Sequence, residues 1–334
     1  MAQMSSVHSV FRSTSLAFGL TLSMAAGATS DQDVSFADIE VALQQCDVQR
    51  ASAVYQQLEK LLPPSAGLLR LQASIQRQRG ELQAAAETLE QALIQWPADA
   101  EGWYLLGQIR AELIDAASVF GKLGAARRTR EALARAHELD RDDPRYAEGL
   151  ATYYVEAPGI AGGDLEKARG LAMLIQESDP ARSAQLMAVI AIQDGDEDAG
   201  FSALRRAAEL GSVAAWLQLA RAQVEQGDLR AAIASFQSAL ALEPNNLLAL
   251  YGLGRNAAVS GEQLEAGVVA MRGFLEHPGV NCQGGNLKPT HGYWRLGNLL
   301  EQLQDMPAAE QAYRHALKLD PDNQDAQRDL KALR

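Results

Sequence analysis

The sequence predicts an all-α protein built from stacked helix pairs. Alanine (59) and leucine (46) together make up 105 of the 334 residues, and both are strong helix formers. Aromatic residues are only 6%, too few for a β-sandwich or barrel. Prolines recur at 63, 97, 144, 180, 244, 278 and 321, with gaps of 34, 47, 36, 64, 34 and 43 residues. A period near 34 marks a helical repeat; the longer gaps read as one unit plus an insertion, or as two units. Length alone would suggest about two domains, a rule that repeat arrays do not follow.

The first element is a targeting segment over residues 1–28. His8 and Arg12 give a weakly basic start, an apolar run diluted by Ser and Thr follows from Leu16 to Leu22, and Ala25-Ala26-Gly27-Ala28 supplies small residues. Ala26-x-Ala28 fits a signal-peptidase site, with cleavage after Ala28; Met24-x-Ala26 is the weaker choice, with cleavage after Ala26. The apolar run is too short to span a bilayer, and no other segment comes close. Cleavage after Ala28 leaves 29 basic against 42 acidic residues, a net −13. The expected location is therefore the bacterial periplasm or the outside of the cell.

The repeats follow. Residues 213–246 carry Trp216-x2-Leu219-Ala220, Gly227-Asp228, Ala232, Phe236, Ala239 and Pro244. Residues 290–323 carry Tyr293-x2-Leu296-Gly297, Ala309, Tyr313, Ala316 and Pro321, and residues 247–280 carry Leu250-x2-Leu253-Gly254, Gly261, Ala266, Ala270 and Pro278. Residues 66–99 give Leu69, Ala73, Gly80, Ala85, Leu89, Ala92 and Pro97. Small residues such as Gly297 and Ala309 let two helices approach closely. Bulky ones such as Trp216 and Phe236 fill the space between units. Gly227-Asp228 makes the tight turn and Pro244 stops the second helix.

This pattern resembles the tetratricopeptide repeat (TPR) family over nearly all of the chain beyond residue 28. The resemblance implies a right-handed superhelical solenoid of antiparallel helix pairs with a concave groove. About eight units fill residues 29–323. The first, near 32–65, shows only its second half, in Asp47, Ala51, Tyr55 and Pro63. The third starts at Trp103-x2-Leu106-Gly107 and carries about ten extra residues, read as longer helices plus Phe120-Gly121-Lys122-Leu123-Gly124. The fourth holds Tyr153-Tyr154 and the insertion Ala157-Pro158-Gly159-Ile160 before Gly163-Asp164. The fifth, 181–212, lacks the terminal Pro, and residues 281–289 separate the seventh and eighth. Residues 324–334, with Leu330 and Leu333 among charges, read as a capping helix. The stretch from Tyr153 to Gly163, of the form YYxxAPGIxGG, is similar to a segment of exported bacterial TPR proteins, a group with no agreed activity to carry over.

Charge and motifs limit the chemistry. The formal net charge of −12 repels phosphate backbones and acidic lipid surfaces, against nucleic-acid or membrane-surface binding. Gly159-Ile160-Ala161-Gly162-Gly163 lacks the spacing of a phosphate loop and follows no strand. His277, Cys282 and His291 surround an insertion, but their spacing fits no standard zinc motif. His137 and His315 read as helix residues, and no HExxH, paired CxxC or Ser-His-Asp pattern is present. The acid run Asp194-Gly195-Asp196-Glu197-Asp198 reads as a turn and helix start. No cofactor, metal or catalytic residue is assigned. Cys46 and Cys282 are 236 residues apart, distant in an elongated array, so the expectation is two separate thiols.

The groove is the candidate site. In the TPR family, ligand contacts come mainly from first-helix positions 2, 5, 9 and 12. The resemblance carries these onto Tyr104 and Gln108 in the third unit, Tyr153 in the fourth, and Arg182 and Gln185 in the fifth. Arg221 comes from the sixth, Tyr251 and Arg255 from the seventh, and Trp294 and Asn298 from the eighth. The arginines suit acidic groups and the aromatic rings suit apolar anchors. Pairing of the arginines with neighbouring acids such as Glu225 is the competing reading. A clamp for a C-terminal carboxylate uses Lys and Asn at positions 5 and 9 of one unit; only Asn298 echoes it. The expected function is a non-catalytic exported scaffold binding a peptide or protein partner. The alternatives are a metal-binding enzyme or subunit using the 277–291 loop, and a self-associating structural protein. The sequence sets no oligomeric state.

Overall fold

A computed structural model describes residues 35–116, 119–280 and 287–333; the leader assigned to residues 1–28 lies outside them. The described residues form seventeen α-helices and one 3-10 turn. Sixteen helices make eight consecutive pairs. They are α1 (Phe36–Gln44) with α2 (Val48–Leu61), α3 (Ala66–Gln78) with α4 (Leu82–Gln95), and α5 (Ala100–Ala116) with α6 (Val119–Leu139). Next come α7 (Pro144–Glu156) with α8 (Leu165–Leu174), α9 (Pro180–Gln193) with α10 (Glu197–Glu209), and α11 (Val213–Glu225) with α12 (Leu229–Leu242). Then α13 (Leu247–Ser260) pairs with α14 (Leu264–Glu276), α15 (Pro289–Gln302) with α16 (Met306–Leu319), and α17 (Gln324–Ala332) ends the array. The protein is an all-α repeat solenoid, as its composition and period predict.

Local chemistry sets the helix ends. Asp47, Ser65, Asp143, Asp164, Asp179, Asp196, Ser212, Asp228, Asn246, Asp305 and Asn323 each cap a helix by accepting a hydrogen bond from a first-turn backbone N–H, which satisfies one donor left open there. The turn inside a unit places one left-handed residue just before the second helix's cap. Gly80 (φ 79°), Gly195 (φ 90°) and Gly227 (φ 80°) fill it at no steric cost. Cys46 (φ 54°) and Gln304 (φ 64°) hold the same place before Asp47 and Asp305. A side chain there costs roughly 1 kcal/mol.

Close packing explains the small residues. A Cβ on Gly107 would stand 2.6 Å from Leu133 Cδ2, and one on Gly292 would stand 2.8 Å from Phe274 Cε1. Gly297 lies against the fully buried ring of Tyr313. The largest apolar cluster runs without interruption from Ala220 to Tyr313, through Phe236, Met271, Phe274 and Leu299. Each unit thus completes its core only against its neighbours.

The two insertions take different forms. Residues Phe120–Gly124 form no break: α6 runs through Gly121 and Gly124. Glycine weakens a helix interior by about 1 kcal/mol without breaking it, so the extra residues go into a 17-residue α5 and a 21-residue α6. The Ala157–Gly163 insertion is a folded strap around a 3-10 turn, Gly159–Ala161. Tyr153 Oη donates to the Ala161 carbonyl (2.6 Å) and the Asp164 N–H donates to the Tyr154 carbonyl (2.9 Å).

The solenoid curves. First helices of neighbouring units touch, α1 with α3, α3 with α5, α5 with α7, α7 with α9 and α13 with α15, while second helices make no comparable contact with one another. The first-helix face is therefore the inner, concave one. Over seven units this curvature returns the α1–α2 turn to the segment after α14: a Cβ on Gly279 would lie 3.5 Å from the Gln44 carbonyl oxygen. Cys46 is disulfide-bonded, which corrects the expectation of two separate thiols. The chain's one other cysteine, Cys282, lies outside the described residues. The expectation failed because separation along the sequence is not distance in a superhelix that returns on itself. Among the described residues no helix is long and apolar enough to cross a membrane.

Candidate functional site

The concave face is a ladder of polar contacts between successive first helices. From α3 to α5, Arg77 Nε donates to Glu112 (2.8 Å) and Arg77 Nη1 donates to Gln108 (3.1 Å). From α5 to α7, Arg145 donates to Glu101 (3.0 Å), as does the Tyr146 hydroxyl (2.9 Å). The Arg145–Glu101 separation of 44 is the 34-residue period plus about ten extra residues of the third unit. From α7 to α9, Arg182 pairs with Glu148, 34 residues earlier, and with Asp179 (2.9 Å). The Ser212 hydroxyl that caps α11 donates to Gln185 (3.0 Å).

The expected partner-binding residues divide accordingly. Tyr104 is buried, its ring 5.2 Å from that of Tyr146, and burial together with the charge of Glu148 pushes its hydroxyl up to about 12. Gln108 is buried on Arg77. Tyr153 is buried and committed to the strap through Ala161. Arg182 and Gln185 are held within the ladder. Arg221 pairs with Glu225 along its own helix (3.1 Å), and both side chains are more than half exposed. Trp294 Nε1 and Asn298 Nδ2 donate to Asp329 of α17 (2.8 and 3.1 Å). Those separations, 35 and 31 residues, repeat the Arg77–Glu112 and Arg77–Gln108 spacings. α17 thus takes the place, against α15, that a first helix holds against the one before it.

Tyr251 and Arg255 differ. Tyr251 on α13 packs at a tilt against Phe274 (5.0 Å between centroids), and burial raises its pKa. Arg255, one turn further along α13, is exposed and makes no ion pair among the described residues. Beside them stands a residue the sequence reading missed. Arg295 lies with its guanidinium 3.9 Å over the ring of Trp294, and its buried Nε has no hydrogen-bond partner. Burial holds the Arg295 pKa below its ordinary value, and the like charge of Arg255 adds to the effect. No sequence signal marks it, since it falls between the family's contact positions Trp294 and Asn298.

Other candidate chemistry resolves into structure. Asp196 caps α10, with Glu197 and Asp198 in its first turn. His277 Nδ1 accepts from the Gly279 N–H (2.9 Å). His315 stacks on Tyr293 (5.2 Å), and His137 is held below its ordinary pKa by burial. No group of three His, Cys, Asp or Glu side chains placed to hold a metal occurs among the described residues; Cys282 is outside them.

Family models described as tetratricopeptide repeat match residues 36–100, 70–118, 213–256 and 290–323. No curated protein matches the chain. Among solved structures it is similar to YrrB, a TPR protein with an unusual peptide-binding site (17% identity, 60% of this chain and 99% of that one, TM-score 0.42). It is also similar to a tetratricopeptide repeat protein from Parabacteroides merdae (12% identity, 89% and 96% covered, TM-score 0.40) and to the APC/C hetero-tetramer Cut9-Hcn1 (15% identity, 89% and 76% covered, TM-score 0.36). At such identities the likeness concerns the fold alone. The eight helix pairs and the matched segments agree on one family: the chain belongs to the tetratricopeptide repeat family.

Proposed function

We propose that this repeat protein is an exported scaffold that holds an extended peptide or a partner helix against its concave face, over α11, α13 and α15. Its repeats make it a protein-interaction scaffold, of a family that is generally non-catalytic. The single observation that carries the placement is the gap in the ladder: from α3 to α9 the concave arginines are paired across units, whereas Arg255 and Arg295 have no acid of their own among the described residues. Unpaired donors and aromatic rings on one face are what a polypeptide ligand needs. Export is supported by the leader-like residues 1–28 and by the bonded Cys46, since disulfides persist in oxidising compartments.

Selection of phage-displayed random peptides on the disulfide-bonded chain tests the binding. Enriched peptides should lose affinity for the Tyr251→Ala/Arg221→Glu variant at unchanged helicity. Equal binding to both would move the interface to the convex face. Export is tested by fractionating the source cells and sequencing the mature N-terminus. Gly27 or Thr29 should come first in the periplasm or medium, and an uncleaved cytoplasmic chain would contradict it.

A further inference from the structure

We propose that Arg255, Arg295 and Tyr251 form a carboxylate site within that groove, which takes an Asp, Glu or C-terminal carboxylate of the bound peptide. The inference rests on the groove reading above and names its ligand chemistry. Arg295 is fixed over Trp294, with an orphaned, buried Nε. A half-buried cation with an unmade hydrogen bond is costly until an acceptor arrives. Arg255 brings a second guanidinium from the adjoining first helix; its charge reaches Arg295, and neither arginine has an ion pair among the described residues. The charges of both reach the Tyr251 hydroxyl, which has no hydrogen-bond partner among the described residues and is available as a third donor.

The other arginines of this face serve as an internal control. Arg77 has Glu112, Arg145 has Glu101 and Asp143, Arg182 has Glu148 and Asp179, and Arg221 has Glu225. A ligand carboxylate would supply at Arg255 and Arg295 what the chain supplies elsewhere. The guanidinium fork matches a carboxylate. Two nearby acids argue for a single negative charge rather than a phosphate dianion. Asp329 accepts from Trp294, Asn298 and Arg328, and Asp325 pairs with Arg328 (2.8 Å), yet the field of both acids reaches Arg295.

The test is an array of randomised octapeptides probed with the full disulfide-bonded protein. One position is fixed as Glu, Gln or phosphoserine, and each pool is made as the free C-terminal acid and as the amide. Wild type should bind Glu pools, or free-acid pools, at least tenfold more strongly than the Gln amide pools. The pool that wins tells a side-chain from a terminal carboxylate. Arg255→Gln/Arg295→Gln should lose that ratio yet keep binding to apolar pools at wild-type helicity. If the double variant fails to fold, the exposed Arg255→Gln alone should cut the ratio at least threefold. A ratio near one in wild type, or an unchanged ratio in the variant, overturns the carboxylate site while leaving groove binding intact. A preference for phosphoserine over Glu overturns it in favour of phosphate. Binding of no pool at all overturns the groove reading and this inference together.

Discussion

The two halves of the concave face use the same residue type in opposite ways. Between α3 and α9, arginine is mortar: Arg77, Arg145 and Arg182 each reach an acid on a neighbouring first helix, at side-chain exposures near one third. Between α11 and α15, Arg221 pairs with Glu225 along its own helix, and Arg255 and Arg295 pair with no acid among the described residues. A cation whose acid comes from the next unit helps to set the angle between units. A cation without one is a liability to the fold and a resource for binding. On the function proposed above, the paired half is the brace and the unpaired half the receptor.

The largest effect expected bears on the disulfide at the α1–α2 turn. Breaking the Cys46 disulfide by Cys46→Ser should cost about 3–5 kcal/mol, since a bond that closes so long a loop removes much unfolded-state entropy. Cys46→Gly should recover about 1 kcal/mol of that, because Cys46 holds a left-handed turn position that glycine fills without strain. Calorimetry of the three proteins checks both figures. Equal melting of wild type and Cys46→Ser would mean that the repeats alone hold the ends together.

Next is the brace itself. Glu148→Ala strands the partly buried Arg182 with Asp179 alone and should cost about 2 kcal/mol after allowance for solvent screening. Glu225→Ala, which frees an exposed arginine, should stay within about 0.5 kcal/mol. Similar losses from the two, by urea denaturation, would erase the distinction between the halves.

The brace also holds Glu156, an acid with no ion pair among the described residues. Burial pushes Glu156, at the end of α7, up to about 7 from an ordinary 4.5. In the fold it keeps its proton where the unfolded chain has released it, so its contribution is full below pH 4.5 and is lost as the pH rises through 7. Relative to Glu156→Gln, wild type should lose about 2 kcal/mol between pH 4.5 and 8. Parallel stability curves for the two proteins would contradict this. The smallest effect is expected in the receptor: Arg295→Gln removes an uncompensated cation and should leave the melting temperature unchanged or slightly raised, by thermal denaturation.

The fold was legible because it is local. The 34-residue proline spacing, the Gly-Asp turns at Gly195 and Gly227 and the small residues at Gly297 and Ala309 each act within one helix pair, and eight pairs follow. What accumulates over many units was not legible. Cys46 is bonded because curvature over seven units brings the α1–α2 turn beside Gly279, and no pairwise pattern encodes that sum. The site was half legible. The family's contact positions include Tyr251 and Arg255, on the face proposed here as the groove, yet also Tyr104, Gln108 and Tyr153, which the structure buries. Position along a helix says which way a side chain points, not whether an acid on the next helix already holds it. Arg295 is conspicuous only when its buried, unpartnered Nε is seen.

The most direct test sets the halves against each other in one measurement. A fluorescein-labelled peptide selected on the wild-type protein is titrated with wild type, Arg182→Gln and Arg255→Gln, each shown by circular dichroism to be folded at the temperature used. The account predicts that Arg255→Gln weakens binding at least fivefold while Arg182→Gln stays within twofold of wild type. Loss of binding on Arg182→Gln with Arg255→Gln unaffected would contradict it, and would place the receptor in the half described here as the brace.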